Sequence, residues 1–250
     1  MRIPQRSADE LTLMRRAGLV VAEMHEVIAA AIRPGVTTAQ LDRLGRDVLA
    51  RRGATSNFLG YHGFPAVICA SVNSCVIHGI PNDVPLAEGD IVGVDCGAIV
   101  SGWHGDAAFT AGVGTISAEA RALIDATETA LDAAIAQMVD GNRLGDVSAA
   151  IEEHAARAGY ALVEGYGGHG IGRAMHEAPD VPNEGRPGRG PHLRPGVVLA
   201  IEPMLTTGGP DTDIADDGWT VVTADGSLGA HAEHTVLVGP NGPEVLTRRG

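Results

Sequence analysis

The chain has 250 residues, enough for one large domain or two small ones, and a protein of this size buries roughly three quarters of the surface that its unfolded chain exposes. Its net charge of −13 argues against DNA or broad nucleic-acid binding, which depends on many cationic contacts to phosphate. All 18 basic residues are arginine, and the lack of lysine excludes Schiff-base chemistry, covalent pyridoxal-phosphate binding and a Walker-type phosphate lysine.

The opening MRIPQRSADE has no apolar core of the signal-peptide kind, and no uninterrupted run of about 18 apolar residues follows, so a soluble, cytoplasmic protein without membrane contact is expected. Ser7 and Glu10 have capping-box spacing, and Leu11, Met14, Ala17, Val21, Met24 and Ile28 then recur at helical intervals, predicting a helix to Ile32 that Pro34 and Gly35 end. A second helix is expected from Thr37 or Thr38, with Leu41, Leu44, Val48 and Leu49 inward, to Gly53. Short strands are predicted over Pro65–Val72, Ile91–Ile99 and Ala107–Gly112. Cys69, Cys75 and Cys96 are odd in number and form no C-x-x-C pair, which fits a reducing compartment rather than a disulfide framework or zinc knuckle.

Within this first half the stretch Ile91 to Thr110 carries an anomaly. Ile91, Val92 and Val94 read as a buried strand, yet the strand contains Asp95, and a buried unpaired carboxylate costs several kcal/mol. Eleven residues on, after a Gly-rich turn at Ser101 to Gly105, Asp106 repeats the anomaly. Two strands joined by a short turn would bring the carboxylates face to face, where a shared metal turns repulsion into binding. The competing reading is that both residues cap turns.

From Ser117 the pattern restarts, with one helix to about Val139 and another between Gly145 and Gly159. At an offset of 106, Gly35 matches Gly141, Leu41 matches Val147 and Gly53 matches Gly159; one residue further, GYHGF overlays GGHGI and sets His62 opposite His169. A duplicated helix-helix-sheet unit is predicted, with halves of roughly 7–112 and 117–240 in a single domain spanning 1–250 and a site at their join. Gly165 to Gly170 also fits G-x-G-x-x-G, but no amphipathic helix follows, which excludes a dinucleotide site. Val197–Met204 reads as a buried strand ending at Glu202, and Ala230–Val238 as a last strand with Glu233 near its start. Asp95, Asp106, His169, Glu202 and Glu233 together have the composition of a two-metal site: hard carboxylates with one imidazole suit Mn, Fe, Co or Zn, and the implied chemistry is hydrolysis.

HGIP at His78–Pro81, the Asp95–Asp106 spacing, GHGIG with His169, MHEAP with His176, IEPM with Glu202 and AEHT with Glu233 stand in the order seen in the methionine aminopeptidases, which this chain resembles from about Ser7 to Leu246. The resemblance implies the α+β pita-bread fold, two pseudo-twofold-related halves with antiparallel sheet around a central dinuclear metal site. It implies removal of the initiator methionine from nascent polypeptides when the second residue is small. Asp95, Asp106, His169, Glu202 and Glu233 would hold two divalent ions (Co, Mn, Fe or Zn), a hydroxide bridging them would attack the scissile carbonyl, and Glu202 would exchange protons. His78 and His176 resemble the family's substrate-contacting histidines, and Tyr61, Phe64, Cys69 and Trp219 its methionine pocket. Met175, where an aromatic usually stands, and Phe58, often small or sulfur-containing, depart from the commoner pattern. A minimal type I enzyme, monomeric, is expected. Arg186, Arg189 and Arg194 in a Pro/Gly-rich loop are candidates for ribosome contact, beside the simpler reading of a solvated loop. Two alternatives stand: an Xaa-Pro peptidase of the same fold, which usually carries an extra N-terminal domain, and a non-catalytic binding protein, which should have lost ligands.

Overall fold

The computed structural model describes residues 3–248. Its helices are α1 (Ala8–Ala29), α2 (Thr38–Arg52), α3 (Ala118–Ala136) and α4 (Leu144–Ala158). The strands before α3 are β1 (Thr55–Ser56), β2 (Ile68–Val72), β3 (Cys75–Ile77), β4 (Ile91–Val100) and β5 (Trp103–Gly112). After α4 come β6 (Ala161–Leu162), β7 (Gly167–Gly170), β8 (Glu177–Pro182), β9 (Val198–Ile201), β10 (Met204–Thr206), β11 (Thr212–Ile214), β12 (Val221–Thr223), β13 (Gly229–His231), β14 (Glu233–Gly239) and β15 (Gly242–Val245). Nine strands form an antiparallel sheet along the path β1-β4-β5-β14-β9-β7-β8, with β2 also on β4 and β15 also on β14. Two three-stranded sheets, β13-β10-β6 and β11-β12-β3, complete the β structure of the described residues.

The capping box at α1 is present: the Ser7 amide donates to Glu10 Oε2 (2.7 Å) and the Glu10 amide to Ser7 Oγ (3.4 Å). Thr37 and Gln40 form the same box at α2. The first helix ends at Ala29, not Ile32, because the ring of Pro34 would clash with the Ala30 carbonyl of a continuing helix. Similarly α3 stops at Ala136, short of Val139. One buried cluster joins Val21, Met24 and Ile28 of α1 and Leu41 and Val48 of α2 to Ile68, Val92 and Val94. Another joins Leu123 and Leu131 of α3 and Val147 and Ile151 of α4 to Leu199, Ile201 and Val236. Each helix pair thus covers its own stretch of strands, and each large apolar side chain so buried contributes about 1.5–3 kcal/mol. Helix α1 touches the sheet backbone: a Cβ on Gly18 would lie 2.1 Å from the Leu246 carbonyl oxygen, and one on Gly105 2.9 Å from the Gly18 nitrogen.

Several strand boundaries differ from the sequence reading: β2 starts at Ile68 rather than Pro65, and β4 runs one residue further than expected, to Val100. The turn expected over Ser101–Gly105 is only Ser101–Gly102, both at positive φ (53° and 76°), so β5 starts at Trp103 rather than Ala107. A two-residue turn of this kind matches the strands' own right-handed twist, which favours long, fully paired arms. The strand expected over Val197–Met204 is broken at Glu202–Pro203, where proline has no N–H for the ladder. Ala230–Val238 likewise divides at Ala232 into β13 and β14.

Candidate metal centre

In the β4–β5 hairpin Asp95 lies opposite Ala108 and Asp106 opposite Gly97, so all four share one face and the two carboxylates sit on its diagonal. On the other side of β5, Glu233 also pairs with Ala108. Further along the same sheet Ala200 pairs with Thr235 on one flank and with His169 on the other, and Glu202 follows Ala200 by two residues. Because side chains alternate faces along a strand, Asp95, Asp106, Glu233, Glu202 and His169 are brought to one face from five successive members of the sheet. Small Ala108 and Ala200 stand between them and leave the intervening space free of bulk.

Ligand-type atoms of Asp106, His169 and Glu233 lie within 4.8 Å of one another, and so do those of Glu202, His231 and Glu233. Asp95 stands outside both trios but lines the same cavity. His169 Nε2 is 3.6 Å from Glu202 Oε1, and His231 Nε2 is 3.7 Å from Glu202 Oε2 and 3.9 Å from Glu233 Oε2. Buried Asp95 Oδ1, Asp106 Oδ1, Glu233 Oε1 and His231 Nε2 have no hydrogen-bond partner. Leaving such atoms unpaired costs about 1–3 kcal/mol each, more when charged, and a cation among them removes that cost. The donor set therefore fits divalent metal.

The imidazole of His169 is prepared for this. Its Nδ1 is 2.9 Å from the Gly170 carbonyl, which can only accept, so Nδ1 carries the proton and Nε2 presents its lone pair to the centre. Burial, then His176, pushes the His169 pKa down to about 4, and burial pushes His231 to about 3, so both rings stay neutral. Burial raises all four carboxyls, and neighbouring carboxylates push Asp106, Glu202 and Glu233 further up. Asp106 is held from outside the cluster: its amide donates to Thr235 Oγ1 (3.0 Å), which donates to the Asp106 carbonyl (2.8 Å). Asn57 Nδ2 donates to the Gly105 carbonyl (3.1 Å) and to Asp106 Oδ2 (3.5 Å).

Against these donors opens a cavity of about 140 Å³ lined by Phe58, Tyr61, Phe64, Cys69, His78, Met175, His176 and Trp219. An engineered cavity of roughly 150 Å³ holds benzene, so this one suits a single apolar side chain. Phe64 packs edge-on against Trp219 at 5.2 Å, and the Tyr61 hydroxyl lies 2.8 Å from His176 Nδ1. His176 is exposed at the mouth, its ring 4.2 Å from that of His169. His78 takes the left-handed conformation (φ 58°), an arrangement that non-glycine residues hold chiefly where the surroundings enforce it. The structure thus gathers every site residue expected from the sequence, including the two departures Phe58 and Met175, around one cavity. Sequence reasoning missed His231, Asn57 and Thr235. The signal for His231 was present, since it precedes Glu233 by two, the spacing that shares a strand face.

His169 is on strand β7, where the flanking glycines allow close approach: a Cβ on Gly168 would meet the Ala200 carbonyl at 2.3 Å. Among the described residues no helix is long and apolar enough to cross a membrane.

Residues 12–240 match the model of metallopeptidase family M24. Methionine aminopeptidase 1 of Mycobacterium tuberculosis is 55% identical over 252 aligned residues, covering 98% of this chain and 95% of the relative. The solved methionine aminopeptidase of Thermotoga maritima superposes with a TM-score of 0.97 at 41% identity, over 99% of this chain and all of that one. A prolidase of Pyrococcus furiosus shares the fold, with a TM-score of 0.80 at 20% identity over 98% of this chain but 66% of its own.

Proposed function

The chain belongs to metallopeptidase family M24, with the pita-bread fold, and from that membership we propose that it is a metal-dependent methionine aminopeptidase acting on nascent polypeptides whose second residue is small. The observation that carries the reading is the junction of two environments: a buried carboxylate–imidazole cluster with unpartnered atoms, and an apolar cavity for one side chain directly against it.

Asp95, Asp106, His169, Glu202 and Glu233 would hold two divalent ions, with His231 as an additional donor or as a neutral partner that orients Glu202 and Glu233. The ions, when bound, supply an acidified water and polarise the scissile carbonyl. Glu202, its carboxyl pushed up by burial and by Asp95, takes and returns the proton. The Tyr61 hydroxyl lies 2.8 Å from His176 Nδ1, and we assign the hydroxyl as donor, which leaves the Nε2–H of His176 for the peptide carbonyl oxygen as charge develops on it. His78, which lines the same cavity, contacts the substrate as well. Tyr61, Phe64, Cys69 and Trp219, with Phe58 and Met175, enclose the methionine side chain, and the soft Met175 thioether suits a sulfur ligand. The enzyme works as a cytoplasmic monomer, and three free, buried cysteines fit that compartment. The exposed Arg186, Arg189 and Arg194 are the surface we assign to ribosome contact.

The test is methionine release from Met-Ala-Ser and Met-Lys-Ser by chelated protein reconstituted with Mn, Fe, Co or Zn. Metal-dependent cleavage of Met-Ala-Ser alone is the expected result. Cleavage confined to Xaa-Pro peptides would replace this reading by that of the prolidases, and no release with any metal would leave a binding protein.

A further inference from the structure

His176 stands on the irregular stretch 171–176 that joins β7 to β8. The ladder slips at this point: His169 pairs with Asp180, yet Gly170 pairs with Glu177. Regular strand pairing therefore does not set where the His176 ring points, and the Tyr61 hydroxyl that meets its Nδ1 itself comes from an exposed turn.

A residue from the segment before α1 supplies what the ladder does not. The Arg6 side chain is only 12% exposed and forms an ion pair with Glu177 Oε2, while the same Nη2 donates to the Ile171 carbonyl at 3.2 Å. One guanidinium nitrogen thus ties the start of the stretch to the residue that follows it. The second carboxylate oxygen, Glu177 Oε1, accepts from the amides of Arg173 (2.7 Å) and Ala174 (3.1 Å), so the stretch is folded around this carboxylate. Arg6 is in turn fixed from behind. Its amide donates to the Gly196 carbonyl at 2.7 Å, and its guanidinium lies over the Trp103 ring at 5.4 Å. Arg173 lies on that same indole at 5.2 Å, with Nη1 donating to the Gly102 carbonyl (3.3 Å) in the β4–β5 turn. Neither Arg6 nor Glu177 lines the methionine cavity.

We propose that Arg6 is a positioning residue for His176: through Glu177 it sets the 171–176 stretch so that the imidazole meets the scissile carbonyl, and it acts on turnover only by way of that ring. This role rests on the aminopeptidase reading above, in which His176 contacts the peptide. A misplacement of about 1 Å in a group that stabilises a transition state can cost up to about 10²-fold, even when its cause lies away from the reacting atoms. Partial loosening of the stretch should cost less than removal of the ring.

In metal-reconstituted protein, Arg6→Gln should lower kcat for Met-Ala-Ser by about tenfold, with KM and metal affinity those of the parent. Arg6→Lys returns a cation to Glu177 and should bring kcat to within about threefold of the parent. In a His176→Ala background, Arg6→Gln should change kcat by less than about twofold, because the ring it acts through is gone. Glu177→Gln keeps an oxygen for the Arg173 and Ala174 amides but removes the charge opposite Arg6, and its loss should match that of Arg6→Gln without adding to it. Arg15→Gln, which breaks the ion pair with Glu244, is the control and should leave kcat unchanged. Amide exchange over 171–176 should quicken in Arg6→Gln, and melting curves check that each variant folds. Equal losses from Arg6→Gln with and without His176, a loss that lies in metal affinity, parent-like kcat in both Arg6→Gln and Glu177→Gln, or unchanged exchange would each overturn the role. A parent that releases no methionine would instead overturn the aminopeptidase reading, and the exchange measurement, which needs no substrate, would then judge the hold of Arg6 on the stretch by itself.

Discussion

Asp95, Asp106, His169 and Glu233 stand on strands β4, β5, β7 and β14, tied on both sides by backbone ladders, whereas Tyr61, His176 and Trp219 reach the same cavity from turns and loops. The first group is electrostatically unfavourable in itself: its three carboxyls crowd together, with Glu202 beside them and with unpartnered atoms, and the stiffness of the sheet keeps them converged. The second group is satisfied locally. Asp217 accepts from the amides of Trp219 and Thr220, each at 2.8 Å, and fixes the tryptophan turn. Glu177 accepts from the amides of Arg173 (2.7 Å) and Ala174 (3.1 Å) and pairs with Arg6, which pins the loop leading into His176. A floor of unfavourable charge on a rigid frame and a rim of self-satisfied turns should respond differently when residues are removed.

The sharpest separation is expected at Asp106. Asp106→Asn should lower activity by about 10³-fold, because a donor to the ions is lost. Yet the metal-free protein should melt no earlier than the parent, since one of four mutually repelling buried carboxyls is gone. A clear drop in the metal-free melting temperature would show that the carboxylate serves the fold as well, and would erase the contrast. At the rim, His176→Ala should reduce kcat by about 10²-fold while metal affinity, measured by calorimetry, stays that of the parent. Weaker metal binding there would move His176 from rim to floor.

Tyr61→Phe removes one hydrogen bond to His176 and should slow turnover only several-fold, in line with a net contribution of about 1 kcal/mol for such a bond. The smallest effect concerns the side of β5 away from these carboxyls. His25 packs edge-on against Phe109 at 4.8 Å, its Nε2–H donates to the Ala107 carbonyl at 2.9 Å, and burial lowers its pKa from 6.5 to about 4. A lowered histidine favours folding fully above the unfolded value and loses that contribution as pH falls from about 6.5 toward 4. His25→Gln should therefore flatten the melting temperature between those pH values; an unchanged slope would assign the acid sensitivity to other histidines.

Much of this arrangement was legible before any coordinates. Asp95 stood out because a carboxylate in an apolar strand needs a reason, and Ser7 with Glu10 announced the first helix through local hydrogen bonding alone. The helix ends were overestimated at Ile32 and Val139 because apolar spacing continued past the point where backbone geometry allowed a helix. His231 went unread although its spacing of two from Glu233 placed both on one strand face; its contact with Glu202, 29 positions earlier in the chain, came only with the fold. Asn57 and Thr235 were invisible because their partner, Asp106, is 49 and 129 residues away.

Residue types and short-range spacing were thus enough to pick out the acids that need a partner and the segments that carry them, because the cost of burying a carboxylate is a property of the residue and its immediate neighbours. Cross-strand register decided the rest. Ala108 and Ala200 became the gaps between donors, and Asp95 fell outside the two trios while His231 came within one. Those relations depend on which strands pair and in which phase, and that is fixed only when both helix pairs and all of the sheet pack together.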